Sequence, residues 1–213
     1  MKFKAVIFDW DGTLMDSTPR IVSCVQNAAR RAGLPVPQDE AVNNIIGLSL
    51  RPALGRLFQS DDQARVEQLV DLYRDEYLYR NPTPSPLFTA ALPLLTALKK
   101  QGRLLAVATG KARPGLDRVM QETQTGHYFH ITRCADEAQS KPHPQMLEQI
   151  IEHLQIRVDE AVMIGDTEHD MGMAAAIGMP RIGVTYGAQP AHKLEPHKPL
   201  AIIDDLQDLM AVL

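Results

Sequence analysis

Two aspartates two residues apart, Asp9 and Asp11, follow the apolar run Ala5-Val6-Ile7-Phe8. In an extended chain residues i and i+2 face the same way, so these carboxylates converge while Trp10 points elsewhere. Gly12 lets the backbone depart sharply. Two carboxylates side by side are costly unless a cation lies between them or one keeps its proton. A second pair, Asp166 and Asp170, follows Ala161-Val162-Met163-Ile164-Gly165. Four residues apart at a helix start, these two can share a face. Thr109-Gly110-Lys111, after Leu104 to Ala108, offers a hydroxyl, a bare glycine N–H and a helix amino terminus. Those are the parts of a phosphate cradle. In Ser140-Lys141-Pro142-His143-Pro144 two prolines fix the backbone around one lysine, so its ammonium can be aimed. Taken singly, each stretch has a plainer reading as a solvated acidic turn, a helix cap, a strand-to-helix turn or a surface turn. Their combination and order are more specific than any one of them.

The elements that must position these groups alternate in texture. Short apolar, β-branched runs at Lys4 to Phe8, Arg103 to Ala108, His130 to Thr132, Ala161 to Gly165, Arg181 to Val184 and Ala201 to Ile203 read as buried parallel strands. Helix-patterned segments lie between most of them, which predicts an α/β fold. Thr89 is expected to cap a helix carrying Leu92, Leu95 and Leu98 that stops at Gly102, and Pro144 to sit in the first turn of another bearing Met146, Leu147 and Ile150. From Asp16 to about Arg80 no strand pattern is found. Helices are expected from Thr18 to Gly33, from Ser49 and Pro52 onward, and from Asp61 to Tyr79, followed by the stiff segment Asn81-Pro82-Thr83-Pro84-Ser85-Pro86. The first strand is thus followed by a helical insertion. The expected division is an α/β core of residues 1–15 and 85–213 and a helical unit of residues 16–84.

Composition narrows the class further. The 213 residues are 45% hydrophobic and 23% charged, the balance of an ordinary globular protein, with a net charge of -4. No cationic field draws in nucleic acid or an anionic membrane, and aromatics at 5% argue against a base-stacking platform. Cys24 and Cys134 are far apart, which fits reduced thiols better than a disulfide framework. The apolar run at Met1 to Phe8 is too short for a signal peptide and is cut by Asp9, and no run approaches a membrane span, so a cytoplasmic location is expected. His127, His130, His143 and His169 form no complete zinc set. Met171, Met173 and Met179 read as core filling.

Paired acids, a hydroxyl, a lysine and paired acids again, in that chain order, resemble the four motifs of the haloacid dehalogenase superfamily. The flank Leu14-Met15-Asp16-Ser17 is also similar to that family. The resemblance covers nearly the whole chain and is strongest to the phosphoglycolate phosphatase-like branch. It implies a doubly wound, Rossmann-like parallel sheet with an inserted all-helical cap. It further implies a Mg²⁺-dependent phosphatase that hydrolyses a small phosphate monoester through an aspartyl-phosphate. On this resemblance Asp9 is the nucleophile and Asp11 the acid/base. Thr109 and Gly110 bind phosphoryl oxygens, and Lys141 neutralises charge. Asp9, Asp166 and the backbone carbonyl of Asp11 hold the metal, and Asp170 ligates through water or orients Lys141. Gly47 lies where such caps carry a specificity loop, and Arg51 is a candidate for an anionic substrate group. Leu87-Phe88-Thr89-Ala90 departs from the Pro-Gly turn usual there, which leaves the hinge position open. Four carboxylates against Mg²⁺ and Lys141 leave one negative charge uncompensated, a gap that a proton on Asp11 closes.

Rival readings remain at this stage. A dehalogenase of the superfamily needs no acid at Asp11, and phosphonate chemistry there uses a cap lysine, whereas no lysine lies between Lys4 and Lys99. A sugar phosphomutase shares Asp9, Asp11 and Mg²⁺. A receiver-like phospho-switch, the non-enzyme reading, needs no helical insertion. The partner expected is a small phosphorylated metabolite, and either a monomer or a homodimer is expected.

Overall fold

In the computed structural model, residues 3–213 are described. Met1 and Lys2, which belong to the amino-terminal run above, lie outside them. Six parallel strands form one sheet: β1 (Ala5–Phe8), β2 (Leu104–Ala108), β3 (Ile131–Arg133), β4 (Ala161–Gly165), β5 (Arg181–Val184) and β6 (Ala201–Ile203). Their order across the sheet is β3-β2-β1-β4-β5-β6. Central strands of a parallel sheet are covered on both faces, so they are apolar throughout rather than alternating. All of β1 and β4 is buried accordingly.

Each strand nevertheless sends alternate side chains to opposite layers. Val6, Phe8, Leu105, Val107, Val162 and Ile164 face one layer. There they meet α5 (Ala91–Lys100) through Leu94, Leu95 and Leu98, α6 (Arg113–Thr123) through Leu116, Val119 and Met120, and α10 (Leu209–Val212) through Leu209. Ala5, Ile7, Ala106, Ala108, Ala161 and Met163 face the other layer. That layer is built by α7 (Gln145–Leu154) through Met146, Leu147 and Ile150, and by α8 (Glu168–Ala176) through Met173 and Ala174. A short α9 (Ala191–Leu194) follows β5. Helices on both faces make the sheet doubly wound, and its order reverses between β1 and β4. Ligands of such sheets bind at the carboxyl ends flanking that switch point.

Between β1 and β2 the chain builds α1 (Thr18–Arg31), α2 (Asp39–Asn43), α3 (Leu50–Leu57) and α4 (Gln63–Asp75). These helices close on their own apolar cluster of Val22, Val25, Val42, Leu54, Val66, Leu69 and Val70. Asp62 caps α4 by accepting from the N–H groups of Ala64 and Arg65. The helix expected to continue to Tyr79 instead widens after Asp75 into a π turn, Glu76–Arg80, closed by the Asn81 N–H on the Glu76 carbonyl. The two crossings to the sheet unit lie side by side. Asp16 N–H donates to the Pro86 carbonyl, and Phe88 N–H donates to the Leu14 carbonyl. Thr89 does not cap α5: the helix starts one residue later than expected, with Ala90 at the cap position, and Leu92 faces solvent.

Candidate active site

Asp9 follows β1, Thr109 follows β2 and Asp166 follows β4, so three adjacent strands deliver their first loop residue to one edge at the switch point. Trp10 turns away, as expected, into the core layer beside Phe129. Gly12 takes a positive φ of 83°, and a Cβ there would stand 2.2 Å from Asp166 Oδ2. Only glycine allows the first loop to press so closely on the fourth.

Lys141 reaches this edge from the loop after β3. Its side chain is sealed from solvent, and its Nζ lies 2.8 Å from Asp9 Oδ1 and 2.6 Å from Asp170 Oδ1. Asp170 Oδ2 accepts from the Thr167 N–H and hydroxyl, closing a capping box at the start of α8. Asp170 thus closes the capping box with one oxygen and bonds Lys141 with the other. Asp166 is held by the Thr13 hydroxyl at 2.9 Å and the Ala188 N–H at 2.7 Å. Asp9 differs. Lys141 pairs with its Oδ1, and among the described residues its buried Oδ2 has no hydrogen-bond partner.

These environments perturb the acids. Burial pushes the Asp9 carboxyl well above the usual carboxylate range, against the pull of Lys141 and with reinforcement from Asp170 and Asp166. Burial, then the Asp170 charge, pushes Asp166 up to about 7, opposed by the Ala188 N–H and the Thr13 hydroxyl. One oxygen each from Asp9, Asp166 and Asp170 falls within 4.8 Å of the others. Asp9 and Asp166, buried with raised proton affinity, and the unpartnered Asp9 Oδ2 mark a site short of positive charge. An all-oxygen set of this kind fits a hard divalent cation.

The carboxylate of Asp11 lies outside that cluster. Its Oδ1 accepts from the Ser17 hydroxyl at 2.7 Å, and its Oδ2 pairs with Lys111 Nζ at 3.0 Å. In the sequence Lys111 shows only as the tail of the Thr-Gly-Lys turn. Its charge alters the balance drawn above: four carboxylates now face a divalent cation and two lysines, which closes the count with no held proton. Thr109 is buried, and its Oγ1 accepts from the Lys111 N–H, ordering the turn.

The helical unit is seated on this edge. Gly47, with φ of 93°, abuts Thr167, and a Cβ on Gly110 would meet the carbonyl oxygens of Gly47 and Leu48 at 2.5 and 2.7 Å. Ser49 N–H donates to Ser140 Oγ, and the His169 ring bonds the Asn44 carbonyl. The segment from Asn44 to Ser49 therefore touches three of the four motif loops. Arg51 is not brought to the site. It pairs with Glu67 on the outside of the helical unit and is 65% exposed at the side chain.

A Rossmann-like α/β unit with acids and a lysine at its switch point and a helical insertion over them defines a capped hydrolase of the haloacid dehalogenase type. The comparisons agree. The family model of haloacid dehalogenase-like hydrolases matches residues 6–184, and the chain belongs to that family. It is 34% identical over 211 residues to the protein named "Probable phosphatase IndB" of Dickeya dadantii, covering 96% of this chain and 91% of that one. It is 27% identical to the "Pyrophosphatase PpaX" of Bacillus mycoides, covering 100% and 98%. Among solved structures, a candidate haloacid dehalogenase-like hydrolase from Bacteroides fragilis superposes with a TM-score of 0.91 at 30% identity, covering 98% of this chain and all of that one. The chain is a hydrolase, and its relatives place it among the phosphatases of the family. No helix among the described residues is long and apolar enough to cross a membrane.

Proposed function

We propose that this enzyme is a Mg²⁺-dependent phosphatase acting on a small phosphate monoester, with Asp9 as nucleophile. The observation that carries this reading is the state of Asp9: buried, with one oxygen paired with Lys141 and the other, Oδ2, unpartnered among the described residues. An aspartate kept for structure would have its lone pairs satisfied. A nucleophile needs one free.

In this reading the Asp9 carboxylate forms a bond to phosphorus while the bond from phosphorus to the alcohol oxygen breaks. Asp11, on the leaving-group side, passes the alcohol oxygen a proton taken up from solvent when the phosphate dianion enters and restores the negative excess. Water then attacks the phosphorus of the aspartyl-phosphate, Asp11 takes the water's proton, and Asp9 and inorganic phosphate are released. Thr109 and the Gly110 N–H bind phosphoryl oxygens, and Lys141 screens the nucleophile from the phosphate. Asp9, Asp166 and the Asp11 carbonyl would hold Mg²⁺, with Asp170 keeping Lys141 in place. When bound, the ion supplies charge that lets two anions approach. Residues 16–84 serve as a cap over a core of residues 1–15 and 85–213, opening for substrate and closing through Gly47 on Gly110.

The experiment is hydrolysis of p-nitrophenyl phosphate by the purified protein, with Mg²⁺ and with a chelator. Turnover that needs the ion and is lost in Asp9→Asn supports the reading. Undiminished turnover in that variant would rule out Asp9 as nucleophile. Activation by a sugar bisphosphate would move the assignment toward a phosphomutase.

A further inference from the structure

Among the described residues, both hydrogen bonds to the Asp166 carboxylate trace back to one short segment, the loop that follows β5. Ala188 N–H donates to Asp166 Oδ2 at 2.7 Å. The other oxygen, Oδ1, is held by the Thr13 hydroxyl at 2.9 Å, and the Thr13 carbonyl in turn accepts from the Tyr186 hydroxyl at 2.9 Å. Between these two arms Gly187 presses on the acid, where a Cβ would collide with Asp166 and with the Gly12 carbonyl oxygen. Residues 186–188 therefore grip Asp166 directly on one oxygen and through the first loop on the other. Burial, then the Asp166 charge, pushes the Tyr186 hydroxyl well above the usual range of a phenol, so it keeps its proton and acts as the donor.

The same tyrosine reaches the cap. Its ring meets Phe88 edge to face, with centroids 4.6 Å apart and planes at 68°. Phe88 lies on the second crossing between cap and core, and its N–H donates to the Leu14 carbonyl, one residue beyond Thr13. Leu87 beside it bridges to Met15. The crossing, the first loop and the tyrosine are thus joined around Thr13 and Leu14. A cleft of about 200 Å³, lined in part by Phe88, Tyr186, Asp204 and Leu206, borders the ring pair and leaves it room to shift. A phenylalanine in place of Tyr186 would keep the edge-to-face contact. What the hydroxyl adds is the bond to the residue that holds Asp166.

We propose that Tyr186 is a positioning residue that couples the cap crossing at Phe88 to Asp166, on the reading of Asp166 as a metal ligand. A crossing that shifts carries the Phe88 ring and the Tyr186 ring with it. The Tyr186 hydroxyl then moves Thr13 relative to Asp166 Oδ1. Coupling between two sites is reciprocal. A seated crossing favours the ion, and the ion firms the crossing.

The test reads Mg²⁺ affinity by titration calorimetry, without substrate, in the native protein, Tyr186→Phe, Thr13→Val and the double variant. Losing an outer hydrogen bond to a metal-binding carboxylate costs about 10- to 100-fold in affinity, the expectation for Thr13→Val. Tyr186→Phe acts one bond further out and should cost about 3- to 10-fold. On the Thr13→Val background it should cost less than about twofold, because its route to the acid has gone. The second readout is hydrogen exchange of the Phe88 N–H. Mg²⁺ should slow it about fivefold in the native protein and less than about twofold in Tyr186→Phe. Equal affinity in the native protein and Tyr186→Phe, additive losses in the double variant, or exchange that Mg²⁺ slows equally in both or in neither, would overturn the proposal. A native protein that binds no Mg²⁺ would instead overturn the reading of Asp166 as a metal ligand.

Discussion

Lys141 Nζ and Asp9 Oδ1 stand 2.8 Å apart in a site from which solvent is excluded. The same ammonium is held from behind by Asp170 at 2.6 Å. Removing the lysine leaves two buried carboxylates without their counter-charge, a loss on the order of 3–5 kcal/mol. Lys141→Met is therefore expected to lower the melting temperature by roughly 10 °C in a chelator and to abolish measurable turnover. Added Mg²⁺ should recover part of the stability and little of the activity. A variant that melts like the native protein in the chelator would show that the two acids are protonated rather than paired.

Asp166 gives stability a pH dependence of definite sign. Without metal its folded carboxyl titrates at about 7 against an ordinary value of 3.8. The folded state then binds more protons between those values. The stability that Asp166 contributes is complete below the lower value and is lost as the pH rises through the upper one, at about 1.4 kcal/mol per pH unit. Chemical denaturation in a chelator, native minus Asp166→Asn, should show this difference shrinking from pH 4 to 8. Taking the difference removes the opposite slope from surface acids such as Asp75 and Glu137, whose pairing with arginines lowers their pKa.

Metal affinity should follow the same group. A cation needs Asp9 and Asp166 both ionised, and both are shifted up by burial, so Mg²⁺ binding is expected to weaken by at least about tenfold for each pH unit below 7, with proton uptake on metal removal. Isothermal titration at several pH values in buffers of different ionisation heat measures both. An affinity flat from pH 5 to 8 would contradict the buried acid cluster as the site.

Gly110 tests the seating of the cap. A methyl group there meets two backbone carbonyls, which cannot rotate away as a side chain could. Gly110→Ala should cost the core little stability, since the collision is with the cap loop rather than the sheet. It should lower kcat/KM by about 10²-fold and make the 81–86 segment easier to cleave by protease. Native kcat/KM in this variant would mean that the seated cap is not the reacting state.

Much of this molecule is legible in its sequence. The six strands appear within a residue of their expected bounds, most exactly where, as in β4, a strand buried on both faces is an uninterrupted apolar run. The gathering of Asp9, Thr109, Lys141 and Asp166 at one edge is legible because Gly12, Gly110, Pro142 and Gly165 mark loops that leave strand ends. The π turn was not legible. Its change of register displaces Tyr77 by about one residue, and helical spacing is blind to that. Lys111 was overlooked as a charge because its partner Asp11 is 100 residues away in the chain. Arg51 looked available because sequence does not show Glu67 beside it on the outside of the cap. The signal that could have found Lys111 was Gly115, a glycine in the first turn of α6 where the lysine stem lies.

The most direct test of the account is reductive trapping. The protein is mixed with substrate and Mg²⁺, quenched with borohydride within one turnover, digested and analysed by mass spectrometry. The account predicts that Asp9 alone is reduced to the alcohol, with the substrate-free control unmodified, because only an acyl phosphate is reduced there. Phosphate release at the full rate with Asp9 unmodified, or reduction at Asp11 or Asp166 instead, would contradict it.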